Sequence, residues 1–80
     1  MQDLKKNLSD YKLEEMLSLT KKINEMQNNI LVVYGEETYG EFDCAVHIYN
    51  QFNMHTRRFY GREDAKEFLL GMLTAFESMP

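Results

Sequence analysis

The side chains of this sequence that could best act as a nucleophile, a base or a metal ligand are one thiol and two imidazoles. Cys44 and His47 lie three positions apart, and His55 follows later in the chain. Nucleophilic catalysis by a cysteine requires the thiol to lie within hydrogen-bond reach of a base such as imidazole. Side chains three positions apart on a strand point to opposite faces. We therefore expect Cys44 to be a small, buried, apolar residue rather than a nucleophile.

Metal and cofactor sites are not indicated either. A zinc site needs three or four converging ligands, and the spacing of Cys44, His47 and His55 matches no closed site. Neither Gly35 nor Gly40 opens a phosphate-binding loop, because no glycine motif leads from a strand into a helix. The sequence therefore predicts a protein that is not an enzyme and that has no catalytic, metal or cofactor-binding residue.

The densest group of charges is acidic. Glu36, Glu37, Glu41 and Asp43 lie within eight residues that contain no base. They fall between two predicted strands, which indicates an acidic hairpin loop. Such a loop is usually solvated, and carboxylates act as acid and base only when their environment separates their pKa values. A sharper hypothesis is phosphate mimicry, in which this acidic hairpin occupies the basic groove of a nucleic-acid-binding protein.

The basic residues give a weaker signal. Arg57, Arg58 and Arg62 are close in sequence, and Tyr49 and Tyr60 could act as stacking platforms for bases. Against this, the 80 residues hold 13 acids and 9 bases, a formal net charge of −4. No polybasic segment is present, so the charge balance argues against binding to nucleic acid or to anionic lipid.

Length and composition indicate one small domain over residues 1–80, with a loosely packed segment over residues 1–8 as an option. The longest apolar run covers residues 30–34, far short of the roughly 18 to 20 residues that span a bilayer. No apolar stretch near the first residue is typical of a secretory signal. The single cysteine requires no oxidising compartment. We therefore expect a cytoplasmic protein without a membrane segment.

Apolar residues recur at helical spacing in two segments. In the first, Ser9 is a candidate N-cap, Leu8 and Leu13 are candidates for a hydrophobic staple, and residues 28–29 are a plausible end. Leu4 and Leu8 could instead extend this helix backwards. The second helix is expected to start after Gly61 and to run to about residue 77. Its apolar stripe is formed by Ala65, Phe68, Leu69, Met72, Leu73 and Phe76.

Three β-rich segments lie between the helices, at residues 30–34, 42–49 and 56–60. We predict an α+β fold of order αβββα, a three-stranded antiparallel meander with both helices packed on one face. In the register we expect, Tyr34 lies opposite Phe42, Val32 opposite Cys44, and Val46 opposite Phe59. The apolar face would carry Ile30, Val32, Tyr34, Phe42, Cys44, Val46, Ile48 and Phe59.

The other sheet face is the most informative feature of the sequence. It would carry Ala45 together with the six residues that we predict to contact a partner: Leu31, Val33, His47, Tyr49, Arg58 and Tyr60. An exposed sheet face is normally polar, whereas aromatic, aliphatic and arginine side chains are typical of interface centres. This pattern predicts a protein partner or self-association as a homodimer. The alternatives are that the amino-terminal segment covers this face or that the residues are simply tolerated at the surface.

The predicted order of elements resembles the double-stranded RNA-binding domain. Residues 61–66, Gly-Arg-Glu-Asp-Ala-Lys, resemble in outline the basic start of that family's second helix. Only Arg62 and Lys66 match the cationic role that grips phosphates there, and the Gly-Pro-x-His loop of that family is absent. The resemblance therefore implies shared topology without RNA binding. Size and acidity are also similar to small accessory proteins of phages and mobile elements, some of which inhibit host nucleases.

Overall fold

The computed structural model describes residues 2–78, with side chains described from residue 13 to residue 78. It contains two helices and three strands in the predicted order. These are α1 (Gln2–Met26), β1 (Leu31–Gly35), β2 (Cys44–Tyr49), β3 (Met54–Phe59) and α2 (Arg62–Glu77). The strands form one antiparallel sheet in the order β1-β2-β3. Helix α1 packs on β1 and on α2, and α2 packs on β2 and β3. The predicted α+β fold is confirmed.

The core lies between the helices and one face of the sheet. The sheet contributes Val32, Tyr34, Cys44 and Val46, all buried. The helices contribute Met16, Leu19, Ile23, Ala65, Leu69 and Leu73. In both helices the buried positions are separated by three or four residues, because this spacing repeats on one face of a helix. Ile30, Ile48 and Phe59 lie at the margin of this core and are partly buried.

Helix α1 begins earlier than the candidate N-cap Ser9 predicts. Its backbone is helical from Gln2, so Ser9 lies inside the helix and is not its N-cap. The alternative that the helix extends backwards through Leu4 and Leu8 is the one the backbone follows. The side chains of residues 1–12 lie outside the described part, and so do the predicted staple of Leu8 on Leu13 and the packing of residues 1–8.

The predicted strand register is wrong, although the predicted faces are right. Tyr34 pairs with Val46 rather than with Phe42, and Val32 pairs with Ile48 rather than with Cys44. Across the second hairpin, Val46 pairs with Arg57 and not with Phe59. The partner positions differ by four residues in the first hairpin and by two in the second. Because side chains alternate with a period of two, an even shift leaves each residue of the observed strands on its predicted face.

Strand β2 begins at Cys44, two residues later than expected, and this removes Phe42 from the core face. Phe42 instead forms an isolated bridge with Tyr39, in which each backbone N–H donates to the other residue's carbonyl at 3.0 Å. Gly40 lies inside this tight turn at a φ of 62°, a left-handed conformation that glycine adopts without steric cost. Strand β3 begins at Met54, two residues earlier than expected.

Candidate functional site

The acidic connection between β1 and β2, residues 36–43, is exposed at every position except the half-buried Phe42, as expected of a solvated loop, yet several of its side chains contact the sheet and α2. The side chain of Glu37 points to the sheet face that lies away from the helices, which we call the open face. There the Glu37 Oε1 atom lies 2.8 Å from Nε2 of His47. The other ring nitrogen of His47 lies 3.0 Å from the hydroxyl of Thr56, its cross-strand partner on β3. His47 thus has a partner for each ring nitrogen within the chain.

Small residues on the open face make room for this loop. Gly35, Ala45 and Arg58 form one row across the three strands, and the first two leave little side-chain volume above the sheet. The Arg58 guanidinium lies 4.1 Å from the centre of the Tyr39 ring, within the range of a cation–π contact. Ala45 is consequently only 3% exposed, although its face was expected to be open. A cavity of about 60 Å³ remains between Tyr39, His47 and Arg58.

Glu36 points to the other side of the sheet, towards the helices. Its carboxylate accepts two hydrogen bonds from the guanidinium of Arg62 at the start of α2. The Tyr34 hydroxyl also donates to Glu36 at 2.6 Å. Arg62 is the main reason that the pKa of Glu36 lies below its ordinary value, and the hydrogen bond from Tyr34 acts in the same direction. The pKa of Arg62 is raised in turn by Glu36. This cluster ties the loop to α2.

Tyr34 and Cys44 lie beneath this ion pair in the core. Burial raises the pKa of the Tyr34 hydroxyl, and its hydrogen bond to Glu36 adds to that effect. Burial also raises the pKa of the Cys44 thiol, which is 1% exposed. Since the thiolate is the reactive form, this environment does not activate Cys44. His47 lies on the opposite face, so the geometry expected from their spacing is confirmed.

The four predicted acids therefore do not act as one cluster. Glu36 faces the helices, Glu37 faces the open side, and Glu41 contacts the hydroxyl of Tyr60 at 3.5 Å. Asp43 is exposed, and its backbone N–H donates to the Phe59 carbonyl at 3.0 Å. Within the described residues, no group of three or more Cys, His, Asp or Glu side chains converges as metal ligands would. Three of the four carboxylates thus have a partner within the chain, on three different side chains.

An exposed apolar patch occupies the other end of the open face. Leu31, Tyr49 and Met54 form one row across all three strands, and Val33 lies beside them. Their exposed fractions are 50%, 39%, 50% and 39%, in the order Leu31, Tyr49, Met54, Val33. We call these four residues the apolar patch. Phe52, in the adjacent hairpin, is 84% exposed, and the Asn50 side chain orders that hairpin by accepting from the backbone N–H groups of residues 52 and 53.

The six predicted contact residues all lie on or beside the open face, but they divide into three groups. Leu31, Val33 and Tyr49 belong to the apolar patch. His47 is half-buried in the middle, where Glu37 contacts it. Arg58 and Tyr60 lie at the loop end, with the Tyr60 ring 4.9 Å from that of Phe42. The surface that sequence reasoning predicted is therefore partly covered by the chain's own loop.

Met54, Phe52 and Tyr39 were missed by the sequence analysis. Met54 and Phe52 lie between the predicted strands 42–49 and 56–60, where the alternation of side chains assigns no face to them. The signal that could have placed Met54 is its position opposite Tyr49 across a four-residue connection, which is typical of a hairpin. For the contact of Tyr39 with Arg58 the sequence holds no local signal.

Two arginines of β3 lie over aromatic rings and have no acidic partner among the described residues. The guanidinium of Arg57 lies 5.2 Å from the Phe68 ring centre on the helix side, and that of Arg58 lies over Tyr39 on the open side. The ion pairs found in the described part involve other cations, Arg62 and Lys66. Arg57 and Arg58 therefore keep their hydrogen-bond donors available for an acidic ligand.

Comparison of the chain with protein-family models, with curated proteins and with solved structures finds no match. The order of elements resembles that of the double-stranded RNA-binding domain, but the two matching cations have partners within the chain. Arg62 pairs with Glu36, and Lys66 Nζ lies 2.8 Å from Glu15 of α1. In the described part of the chain, neither helix combines the length and the apolar character that crossing a membrane requires.

Proposed function

We propose that this chain is a non-catalytic cytoplasmic protein that acts by binding another protein through the apolar patch, the partner being either a different protein or a second copy of the chain. The observation that carries the proposal is the continuity of the patch. Leu31, Tyr49 and Met54 lie side by side across three strands, and Val33 extends the row along β1. Scattered exposed apolar residues are ordinary, but a contiguous group on a sheet face is typical of a contact surface.

The rest of the sheet supports a binding role for this end. Loop 36–43 covers the other end of the open face through Glu37, Tyr39 and Arg58. No such cover lies over the apolar patch among the described residues. The hydrophobic effect favours removing such a surface from water by roughly 25 cal/mol per Å² of apolar area. A rigid sheet also presents these side chains in one arrangement, which lowers the entropy lost on binding.

The experiment that tests the proposal is a charged substitution within the patch. Leu31→Lys should weaken association because it places an ammonium group at the centre of a desolvated contact. Its matched control is Leu17→Lys on α1, since Leu17 is also a leucine with 50% exposure. Association is measured by light scattering over a range of concentrations and by capture of partners from lysate with the tagged protein.

Two results would support the proposal. The mass of the unmodified protein would be about twice 9.5 kDa and fall to the monomer value in Leu31→Lys alone, or a captured protein would be lost in Leu31→Lys alone. Unchanged mass and capture in Leu31→Lys would overturn it. If Leu31→Lys loses its helical signal in circular dichroism, Met54→Lys at the edge strand provides a second variant for the same comparison.

The acidic-hairpin hypothesis remains a prediction, and the geometry of the loop does not favour it. A phosphate mimic must present its carboxylates together on one surface. Here Glu36 and Glu37 point to opposite sides of the sheet and are held by Arg62 and His47. Glu41 and Asp43 are the two acids of this group without an ion pair in the described residues.

A further inference from the structure

The two edges of the sheet differ in how their backbone groups are satisfied. On β1 the outward N–H and C=O of Val32 are both bonded to the Asn24 side chain of α1. At Val32 that amide occupies the place of a neighbouring strand. The other edge, β3, is exposed or half-exposed along all six residues. An open edge of this kind is a template for pairing with another chain.

The hairpin identifies which groups of β3 point outward. The Asn50 N–H donates to the Asn53 carbonyl at 3.0 Å, so this pair is hydrogen-bonded. Hydrogen-bonded pairs alternate along an antiparallel ladder, which makes His55, Arg57 and Phe59 the residues whose backbone bonds to β2. The backbone N–H and C=O of Thr56 and Arg58 therefore point away from the sheet. No described residue bonds to these outward groups.

Side chains of one sign flank this edge. Strand β3 carries two cations, Arg57 and Arg58, and no acid. Arg57 lies over Phe68 on the helix side, and Arg58 lies over Tyr39 on the open side. Because the rings hold the two guanidinium groups in place, less side-chain entropy is lost when they bind a carboxylate. The edge thus has one positioned cation on each face.

We propose that the β3 edge binds an extended segment of a protein partner that carries two consecutive acidic residues, by addition of that segment as a fourth strand. Backbone bonds to Thr56 and Arg58 would align the segment. Successive side chains of an added strand point to opposite faces, so two adjacent carboxylates would meet Arg57 and Arg58, one on each side. This surface uses the outward backbone of Thr56 and Arg58 and the two arginines, whereas the apolar patch uses side chains of the open face, of which only Met54 belongs to β3. Different substitutions test the two surfaces, so the two proposals fail separately.

Charge and backbone chemistry decide between this occupant and two others. A second copy pairing antiparallel through its own β3 would bring two arginine pairs together, which is repulsive. Nucleic acid has no peptide backbone, so it cannot form the strand-type hydrogen bonds with the outward N–H and C=O groups of Thr56 and Arg58. An acidic extended segment satisfies both the outward backbone groups and the two guanidinium groups.

The test uses a terminally blocked peptide of alternating threonine and valine with Glu-Asp at its centre, titrated into the isotopically labelled full chain. We expect the amides of Thr56 and Arg58 to shift in the NMR spectrum and to become protected from hydrogen exchange. Arg57→Gln combined with Arg58→Gln should weaken binding about tenfold. The matched control is Lys21→Gln with Lys22→Gln, which removes the same charge from exposed positions of α1 and should leave binding unchanged.

Strand addition is separated from simple charge attraction by two N-methylated peptides. One carries methyl groups on alternate residues in one phase, and the other carries them in the opposite phase. Binding should be lost only in the peptide whose methyl groups replace the N–H groups that would face β3. Equal binding of both phases, an equal effect of the lysine control, or no binding by the folded protein would overturn the proposal. So would tighter binding of a single-stranded oligonucleotide, or a dimer that dissociates in the double-arginine variant.

Discussion

The side chain of Asn24 on α1 pairs with the backbone of Val32 on β1 as a neighbouring strand would. The Asn24 amide donates to the Val32 carbonyl at 2.9 Å, and the Val32 N–H donates to the Asn24 Oδ1 atom at 2.7 Å. Val32 itself is 1% exposed, so these backbone groups have little access to water. One side chain thus links helix to sheet and occupies the outer edge of β1 at Val32.

Asn24→Ala should therefore destabilise the protein and open the β1 edge. Removing the amide leaves a buried N–H and a buried C=O without partners, at a cost of roughly 1–3 kcal/mol. Urea unfolding followed by circular dichroism gives the change in the free energy of unfolding. Asn29→Ala, at an exposed position after α1, is the control. A loss of stability in both variants alike would contradict the capping role of Asn24.

The Glu36–Arg62 ion pair should make stability depend on pH in the acid range. Arg62 lowers the pKa of Glu36 below its ordinary value of 4.5, so the unfolded chain takes up this proton first as the pH falls. The contribution of the ion pair to the free energy of unfolding is fully present above pH 4.5. It is lost as the pH falls through the lower pKa of Glu36 in the folded state. Between neutral and acid pH, Glu36→Gln should lose less stability than the unmodified protein.

The measurement is urea unfolding at a series of pH values. Glu14→Gln, which removes an exposed carboxylate from α1, is the control and should follow the unmodified protein. Parallel pH profiles for Glu36→Gln and the unmodified protein would show that this ion pair does not couple folding to proton uptake.

Tyr34 should make the free energy of unfolding decrease as the pH rises in the alkaline range. Its folded-state pKa is raised by burial, above the ordinary value of 10.0. The unfolded chain therefore loses this proton at a pH where the folded chain retains it, and stability falls as the pH rises above 10. Tyr34→Phe should show a smaller alkaline loss, and at neutral pH it should be destabilised by about 0.5–1.5 kcal/mol through the missing hydrogen bond.

The check for Tyr34 is thermal or urea unfolding across the alkaline range, together with absorbance titration of the phenols. The Tyr34→Phe variant should lack the last phenol to ionise in the folded protein. Tyr49→Phe, which alters an exposed ring, serves as the control. If Tyr49→Phe removes the same step, Tyr34 is not the group with the raised pKa.

The Cys44 thiol should react slowly in the folded protein. It is 1% exposed, and burial raises its pKa, so both access and thiolate fraction are low. Alkylation by iodoacetamide, followed by mass spectrometry, should proceed slowly under native conditions and rapidly in guanidinium chloride. Under native conditions, alkylation of Cys44 requires transient unfolding. Asn24→Ala should accelerate this alkylation, because the variant raises the population of open molecules. Rapid labelling of the stable native protein would contradict the buried position.

The sequence by itself determined the class of fold and the face on which each strand residue lies. Val32, Tyr34, Cys44 and Val46 alternate with residues of the other face, and the hydrophobic effect buries the apolar set whichever strand residues are paired. This is why an incorrect register still gave the correct core. Helical spacing placed α2 in the same way, since a period of about 3.6 residues is a local property of the chain.

Tertiary structure alone decided how the acidic loop is used and which part of the open face remains exposed. Tyr39 meets Arg58 only after the loop folds back over Gly35 and Ala45, and Glu36 meets Arg62 only because α2 begins beside the loop. Asn24 caps β1 only because α1 brings it beside Val32. These contacts join residues that are distant in the sequence, so their formation depends on packing and has no periodic signature. The alternation of side chains could predict that Ala45 faces away from the helices, but only the folded loop buries it.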